Sequence, residues 1–177
     1  MNRTLLAFAA LTSTLAMSVA QANDGTINFT GELTAQTCTS TINGTANAAT
    51  VALPRLSIAS LATAGATAGA TNFTIELSRC QGTIATAAAF FEAGAGVDSV
   101  TRNVKNATGT ATNVQFQLLD SAGRVIRAGD STQLANTART PVTGAAAVLP
   151  YAVQYVASGA STAGTVVGSV TYSINYQ

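Results

Sequence analysis

The chain has 177 residues, of which eight are basic and seven acidic, so charged side chains make up only 8% of it. It has no histidine, no tryptophan and two cysteines. So sparse and even a charge leaves no basic stripe to neutralise phosphates, which argues against a nucleic-acid partner. The missing imidazole removes the usual general base and the commonest metal ligand.

The first 22 residues read as a signal peptide. Met1 to Arg3 supply a basic start, "LLAFAALTSTLAMSVA" is mostly apolar, and "AQA" at 20–22 has the small-x-small form of a cleavage site. The apolar run is short for a membrane span and is broken by Thr and Ser. Cleavage after Ala22 would leave residues 23–177, a length that suits one domain with a real core. Beyond Arg3 the basic residues are Arg55, Arg79, Arg102, Lys105, Arg124, Arg127 and Arg139, matched by seven carboxylates. Zero net charge ordinarily threatens solubility. It suits a protein whose surface is largely covered by copies of itself.

The stretch "GTINFTGELTAQTC", residues 25–38, alternates like a β-strand. Gly25, Ile27, Phe29, Gly31 and Leu33 fall on one side and mostly polar residues on the other. Further strands are expected in "ATVALP", "TNFTIELSRC", "AAAFFEAG", "NVQFQLLDS", "RVIRAG", "VLPYAVQYVAS" and "GTVVGSVTYSINY". The small residues of "ATAGATAGAT", 62–71, predict a loop, with one helical turn near Ile58 to Leu61. "DSAG" at 120–123 has hairpin-turn chemistry. No segment after residue 22 carries a useful helical period, so the chain reads as an all-β sandwich or barrel. In the last strand Val170, Tyr172, Ile174 and Tyr176 alternate with Ser169, Thr171, Ser173 and Asn175, which predicts one apolar face.

Cys38 and Cys80 of an exported chain are expected to form a disulfide. Closing a loop of 41 residues stabilises by roughly 4 kcal/mol in the chain-entropy model. With both cysteines bridged no thiolate nucleophile remains. Asp24, Glu32, Glu76, Glu92, Asp98, Asp120 and Asp130 are dispersed, without the Asp-x-Asp spacing of a calcium loop. Lys105, the single lysine, lies in a polar "RNVKNATGT" stretch and reads as solvated surface. Tyr151, Tyr155, Tyr172 and Tyr176 fall in strand patterns, so packing accounts for them better than sugar stacking. No catalytic residue, metal site or cofactor is expected.

Several stretches together resemble one family. "LPRLSIASLATAGATAGATNFTIELSRC" looks like the first half of a type 1-like fimbrial major pilin of the chaperone–usher family: a "LP" motif, a small-residue loop, then "F-x-I-x-L-x-x-C" ending in the second cysteine. "GELTAQTC" resembles that family's first core strand. "NVQFQLLDSAGRVIRAG" resembles its hairpin, and "SVTYSINYQ" resembles its C-terminal strand with a penultimate Tyr. The resemblance implies an incomplete immunoglobulin-like sandwich that lacks its final strand, with residues 34–177 as the pilin domain and 23–33 as an N-terminal donor-strand extension. Donor-strand complementation is a form of β-strand addition. Under it Gly25, Ile27, Phe29 and Gly31 would enter the groove of a neighbouring copy. Val170, Tyr172, Ile174, Tyr176 and the terminal Gln177 would form the groove-edge strand that a periplasmic chaperone holds first. The implied partners are further copies joined head-to-tail, that chaperone and an outer-membrane usher; the implied product is an extracellular adhesive fibre. Two rivals stand beside this reading: a minor adaptor or terminator subunit, and a self-contained secreted sandwich that binds a ligand.

Overall fold

A computed structural model describes residue 28, residues 37–46 and residues 49–177. The expected signal peptide and the expected donor residues Gly25, Ile27, Phe29 and Gly31 lie outside the described residues.

The longest apolar alternations make the central strands. In β3 (Thr67–Gln81) Phe73, Ile75 and Leu77 point inward and are buried. In β9 (Ala147–Ala157) Leu149, Tyr151 and Val153 do the same. The two pair antiparallel in register Ile75↔Leu149, so their branched and aromatic side chains meet across one face. β1 (Thr37–Ile42) with the short β2 (Thr45–Ala46) flanks β3. β6 (Val114–Leu119) flanks β9, with β5 (Val104–Lys105) and β7 (Val125–Ile126) paired to it. Pro150 is tolerated in so central a strand because the β6 ladder ends at Ala152. At Pro150 no neighbour on that side needs the missing N–H.

A second, smaller sheet runs β10–β4–β8, from β4 (Thr86–Phe91), β8 (Thr140–Pro141) and β10 (Tyr172–Tyr176). It covers the inner face of the large sheet. Ala87 and Ala89 are small enough to let Tyr151 approach, and the N–H of Ala89 donates to the Tyr151 hydroxyl at 2.7 Å. Phe91 meets the Tyr151 ring edge-on at 5.3 Å. Two sheets sharing one apolar layer make a β-sandwich. A disulfide, Cys38–Cys80, ties β1 to β3.

Five expectations need correction. Residues 67–71 open β3 rather than belonging to a loop, and their smallness is what the packing requires. A side chain at Gly69 would meet Leu56 Cδ1 at 2.9 Å and Tyr155 Cδ2 at 3.2 Å, and its φ of +72° favours glycine. Residues 49–54 keep the alternation of a strand, with Ala49, Val51 and Leu53 half-buried, but pair with nothing among the described residues. Of 164–176 only 172–176 is strand. Lys105 is half-buried in β5 rather than on a solvated turn. One helical turn, α1 (Gln133–Asn136), follows β7 where no helix was expected. The turn at Ile58–Leu61 forms as expected, as a 3-10 turn. So does the hairpin turn, where Gly123 N–H donates to Asp120 O at 3.0 Å.

Candidate functional site

The two edges of the small sheet are treated differently. Beyond β8, the outer edge of β4 is closed by side chains. Tyr151 takes the N–H of Ala89, and the Gln133 amide binds both Phe91 N–H (2.9 Å) and Phe91 C=O (3.0 Å). Gln133 is itself buried, and it stands in for a strand that the sheet lacks there. β10 forms the opposite edge, and among the described residues its only ladder partner is β4.

The ladder tells which groups of β10 are left over. Gln177 and Thr86 exchange both backbone hydrogen bonds, at 2.9 and 2.8 Å, and Glu92 N–H donates to Thr171 O. In an antiparallel pair alternate residues bond to the same neighbour. The odd-numbered residues 171–177 therefore face β4, and the N–H and C=O groups of Tyr172, Ile174 and Tyr176 point to the open side. The same even-numbered residues, with Val170, turn their side chains onto the core and are half-buried.

Across the open side runs residues 49–56. Val51 and Leu53 pack on the core, yet the backbone of this segment has no backbone hydrogen-bond partner among the described residues. Between the two lips lies a cavity of about 320 Å³. Phe73, Ile75, Phe91, Phe116 and Leu118 line it, with Val51 and Leu53 on one lip and Val170 and Tyr172 on the other. A larger cavity of about 580 Å³ follows along the chain on both lips, from Pro54 to Ile58 and from Ser161 to Val167. Leu56, Ile58 and Val167 are exposed there. Toward the C-terminal end the groove narrows. The Tyr172 hydroxyl donates to Ser40 Oγ at 3.3 Å, and Cys38 N–H donates to the Tyr176 hydroxyl at 3.0 Å.

Arg139 fixes β10 against β4. Its guanidinium donates to Asn175 Oδ1 (2.8 Å), Asn175 O (2.9 Å), Thr86 Oγ1 (2.9 Å) and Thr86 O (3.3 Å). Burial pulls its pKa below the ordinary value, with the Tyr151 phenol opposing. Burial pushes the Tyr151 pKa up against the Ala89 N–H and Arg139.

Sequence reasoning placed Val170, Tyr172, Ile174 and Tyr176 on one apolar strand face, and the structure brings them together on one lip. It did not identify residues 49–56 as the other lip, although the alternation of Val51 and Leu53 was visible. Nothing in the sequence marked Arg139 or Gln133, which act on strands 36 to 53 positions away. Among the described residues no three His, Cys, Asp or Glu side chains gather as metal ligands. The site is thus an apolar slot bounded by backbone that is unpaired among the described residues, a shape suited to an extended peptide rather than a small polar substrate.

Comparison with known proteins identifies the family. The model of the FimA family, type-1 fimbrial protein, A, matches residues 53–177. The chain is 38% identical to the F17 fimbrial protein of Escherichia coli, over 98% of this chain and 95% of that protein. It is 43% identical to the major fimbrial subunit SMF-1 of Stenotrophomonas maltophilia, over 89% and 95%. It is 32% identical to the type-1 fimbrial protein, A chain, of Escherichia coli, over 98% and 95%. Its fold is similar to that of the P pilus rod subunit PapA, with a TM-score of 0.59 at 16% identity, over 78% of this chain and 99% of that one. It is also similar to a subunit of a solved chaperone–usher pilus, with a TM-score of 0.58 at 18% identity, over 90% and 99%. The sandwich is therefore the immunoglobulin-like fold of the pilins, and this chain belongs to the type-1 fimbrial protein A family of structural fimbrial subunits.

Proposed function

We propose that this subunit polymerises by donating residues 23–33 as a strand to the groove of the next copy. The observation that supports the reading is the pair of facing lips, residues 49–56 and β10, both with backbone groups unpaired among the described residues, over an apolar floor. One extended segment between them would satisfy both edges at once and would remove an exposed strand edge. In the extension Ile27 and Phe29 fall on one side, flanked by Gly25 and Gly31. Full burial would stabilise each of the two by roughly 1.5–3 kcal/mol. The glycines suit points where a shallow groove admits no side chain.

A contact in which one surface of a copy meets a different surface of the next builds an open filament. We read the chain as a rod subunit rather than a terminator because it carries both halves of such a contact. On this reading residues 1–22 direct export, a periplasmic chaperone occupies the groove along Tyr172, Ile174, Tyr176 and Gln177 before assembly, and an outer-membrane usher passes the fibre to the cell surface. No step of it calls for catalysis or a cofactor.

The test is electron microscopy of cells expressing the chain with a chaperone and usher, beside the Ile27→Asp/Phe29→Asp variant. Fibres from the unaltered chain and none from the exported variant are expected. Equal fibres from both would overturn the assignment of 23–33 as the donor.

A further inference from the structure

The ordered edge on the β10 side of the groove is longer than β10 itself. Thr165 and Val167 belong to no strand, yet both turn their backbone groups to the body of the domain. Ala111 N–H donates to Thr165 O at 3.0 Å and Ala107 N–H to Val167 O at 2.7 Å. Thr165 N–H donates to Thr110 Oγ1 at 3.0 Å and Val167 N–H to Asn106 Oδ1 at 2.7 Å. A side chain added at Gly96 would strike Ser169 O, so Ser169 faces the same way. The odd-numbered residues from 165 to 177 thus keep one orientation. The N–H and C=O groups of Val166, Gly168 and Val170 therefore join those of Tyr172, Ile174 and Tyr176 on the open side, unpaired among the described residues. Resting on the donor-strand reading above, we propose that Asn106 is a positioning residue for strand capture: its side chain stands in for a ladder strand, holds 165–168 extended, and lengthens the edge offered to an incoming strand from 172–176 to 166–176.

Asn106 is half-buried and follows β5, where the ladder to β6 has ended. A primary amide carries two N–H donors and an oxygen with two lone pairs, and here the backbone takes all four. Nδ2 donates to Ala111 O at 2.7 Å and to Thr165 O at 3.3 Å. Oδ1 accepts from Val167 N–H at 2.7 Å and from Gly109 N–H at 3.0 Å. The reversed amide would set donors against N–H groups and its oxygen against carbonyls, so these partners fix its orientation. An aspartate lacks the donors, and a glutamine sets the amide one carbon farther out. Close approach of the two segments is built in as well: a side chain at Gly109 would strike Thr165 O, and one at Gly168 would strike Lys105 O. Val166, between the two held residues, packs beside Leu61 and Ala111 and lines the wider cavity. Gly168 and Val170 continue the lip along the narrower one. The edge that results is roughly 33 Å long, against roughly 13 Å for 172–176 alone. It serves either strand direction, since parallel and antiparallel neighbours both bond the groups that point to their side.

The test uses the chain from residue 23 onward carrying Ile27→Asp/Phe29→Asp, which keeps its groove but cannot donate, and a synthetic peptide of residues 23–33 as the probe. Peptide uptake is followed by fluorescence anisotropy and hydrogen exchange. With Asn106 in place, the amides of Val166, Gly168, Tyr172, Ile174 and Tyr176 should all gain protection. Asn106→Ala should slow uptake about three- to tenfold, the range of one neutral hydrogen bond. In it Val166 and Gly168 should lose that gain while Tyr172, Ile174 and Tyr176 keep theirs. Asn106→Asp, which still accepts from Val167 and Gly109 but turns a carboxylate to two carbonyls, should show the same pattern and serves if the alanine variant does not fold. Asp120→Asn, which weakens the domain away from the lip, should change neither uptake nor pattern. Full protection of Val166 and Gly168 in both Asn106 variants would overturn the positioning role. So would an equal loss at all five amides, the mark of a general loss of stability. Either result leaves the donor-strand reading standing; no gain at any of the five with Asn106 in place would end both.

Discussion

Asp120 shows how much one side chain organises in so weakly charged a protein. It is 3% exposed. Its carboxylate accepts from the backbone N–H groups of Ala122, Arg124 and Ala138, at 2.9, 2.9 and 3.1 Å, and from the Arg124 side chain at 2.9 Å. Burial alone would raise its pKa, but those donors outweigh it and hold the pKa below the usual carboxylate range. A depressed carboxylate pKa stabilises the fold above the unfolded-state value of about 3.9 and ceases to do so as pH falls through the folded value. Asp120→Asn should therefore cost about 2 kcal/mol near neutral pH. Urea melts of both proteins should begin to approach each other as pH falls below about 4 and meet only below the folded pKa; a gap independent of pH would show that the charge is not what matters. The Asp-x-x-Gly pattern at 120–123 was legible as a turn, because that chemistry is local. The bond to Ala138 was not, because nothing local to Asp120 records which distant N–H the fold delivers to it.

Among the elements, β10 is secured on one side only among the described residues, and this follows from its place at an open edge. One ladder holds it, to β4, and Arg139 adds a clamp across both strands. Arg139→Ala should lower stability by about 2–3 kcal/mol, the range for lost charge-assisted hydrogen bonds. Hydrogen exchange localises the effect: the amides of Ser173, Asn175 and Gln177, which face β4, should lose protection before those of β3 and β9. Arg139→Lys should recover little, since one ammonium cannot reproduce the planar fork that reaches Asn175 and Thr86 together. Protection unchanged in Arg139→Ala would mean that the ladder suffices. β1 is secured differently, by the Cys38–Cys80 bridge to β3. Cys38→Ser/Cys80→Ser should cost about 2–4 kcal/mol in urea unfolding. Because Cys38 N–H holds the Tyr176 hydroxyl, the same change should also loosen the narrow end of the groove. The elements that sequence reading recovered best, β3, β6 and β9, are those whose period-2 pattern is enforced by burial against the opposite sheet. The stretch 67–71 was misread because small residues carry no pattern, and their role depends on what packs over them, here Leu56 and Tyr155 at Gly69. The segment 49–54 had the pattern of a strand without a partner to pair with.

On the proposed reading, the whole molecule is a subunit that presents its core to a second chain. Away from residues 49–56 and the last lip, nothing among the described residues distinguishes this sandwich from a closed one. That explains why fold class was legible from alternation and cysteines, whereas the groove became visible only when both lips were placed in space. It also makes a prediction that needs no fibre. If residues 23–33 are moved from the N-terminus and joined after Gln177, they can return antiparallel along β10. Antiparallel neighbours need only a tight turn, whereas a parallel return would need a crossover of about a dozen residues or more. A linker of about four residues built on Asn-Gly should therefore let the chain fill its own groove. The rearranged protein should stay monomeric in sedimentation and form no fibres. Its urea midpoint should rise, with burial of Ile27 and Phe29 contributing up to about 3–6 kcal/mol before the entropy of ordering the strand is subtracted. Ile27→Asp/Phe29→Asp in the same protein should cancel the gain. If the short linker fails and a linker of about fifteen residues succeeds, the strand enters parallel to β10 and the groove assignment still stands. If neither linker raises the midpoint, residues 23–33 do not fill this groove.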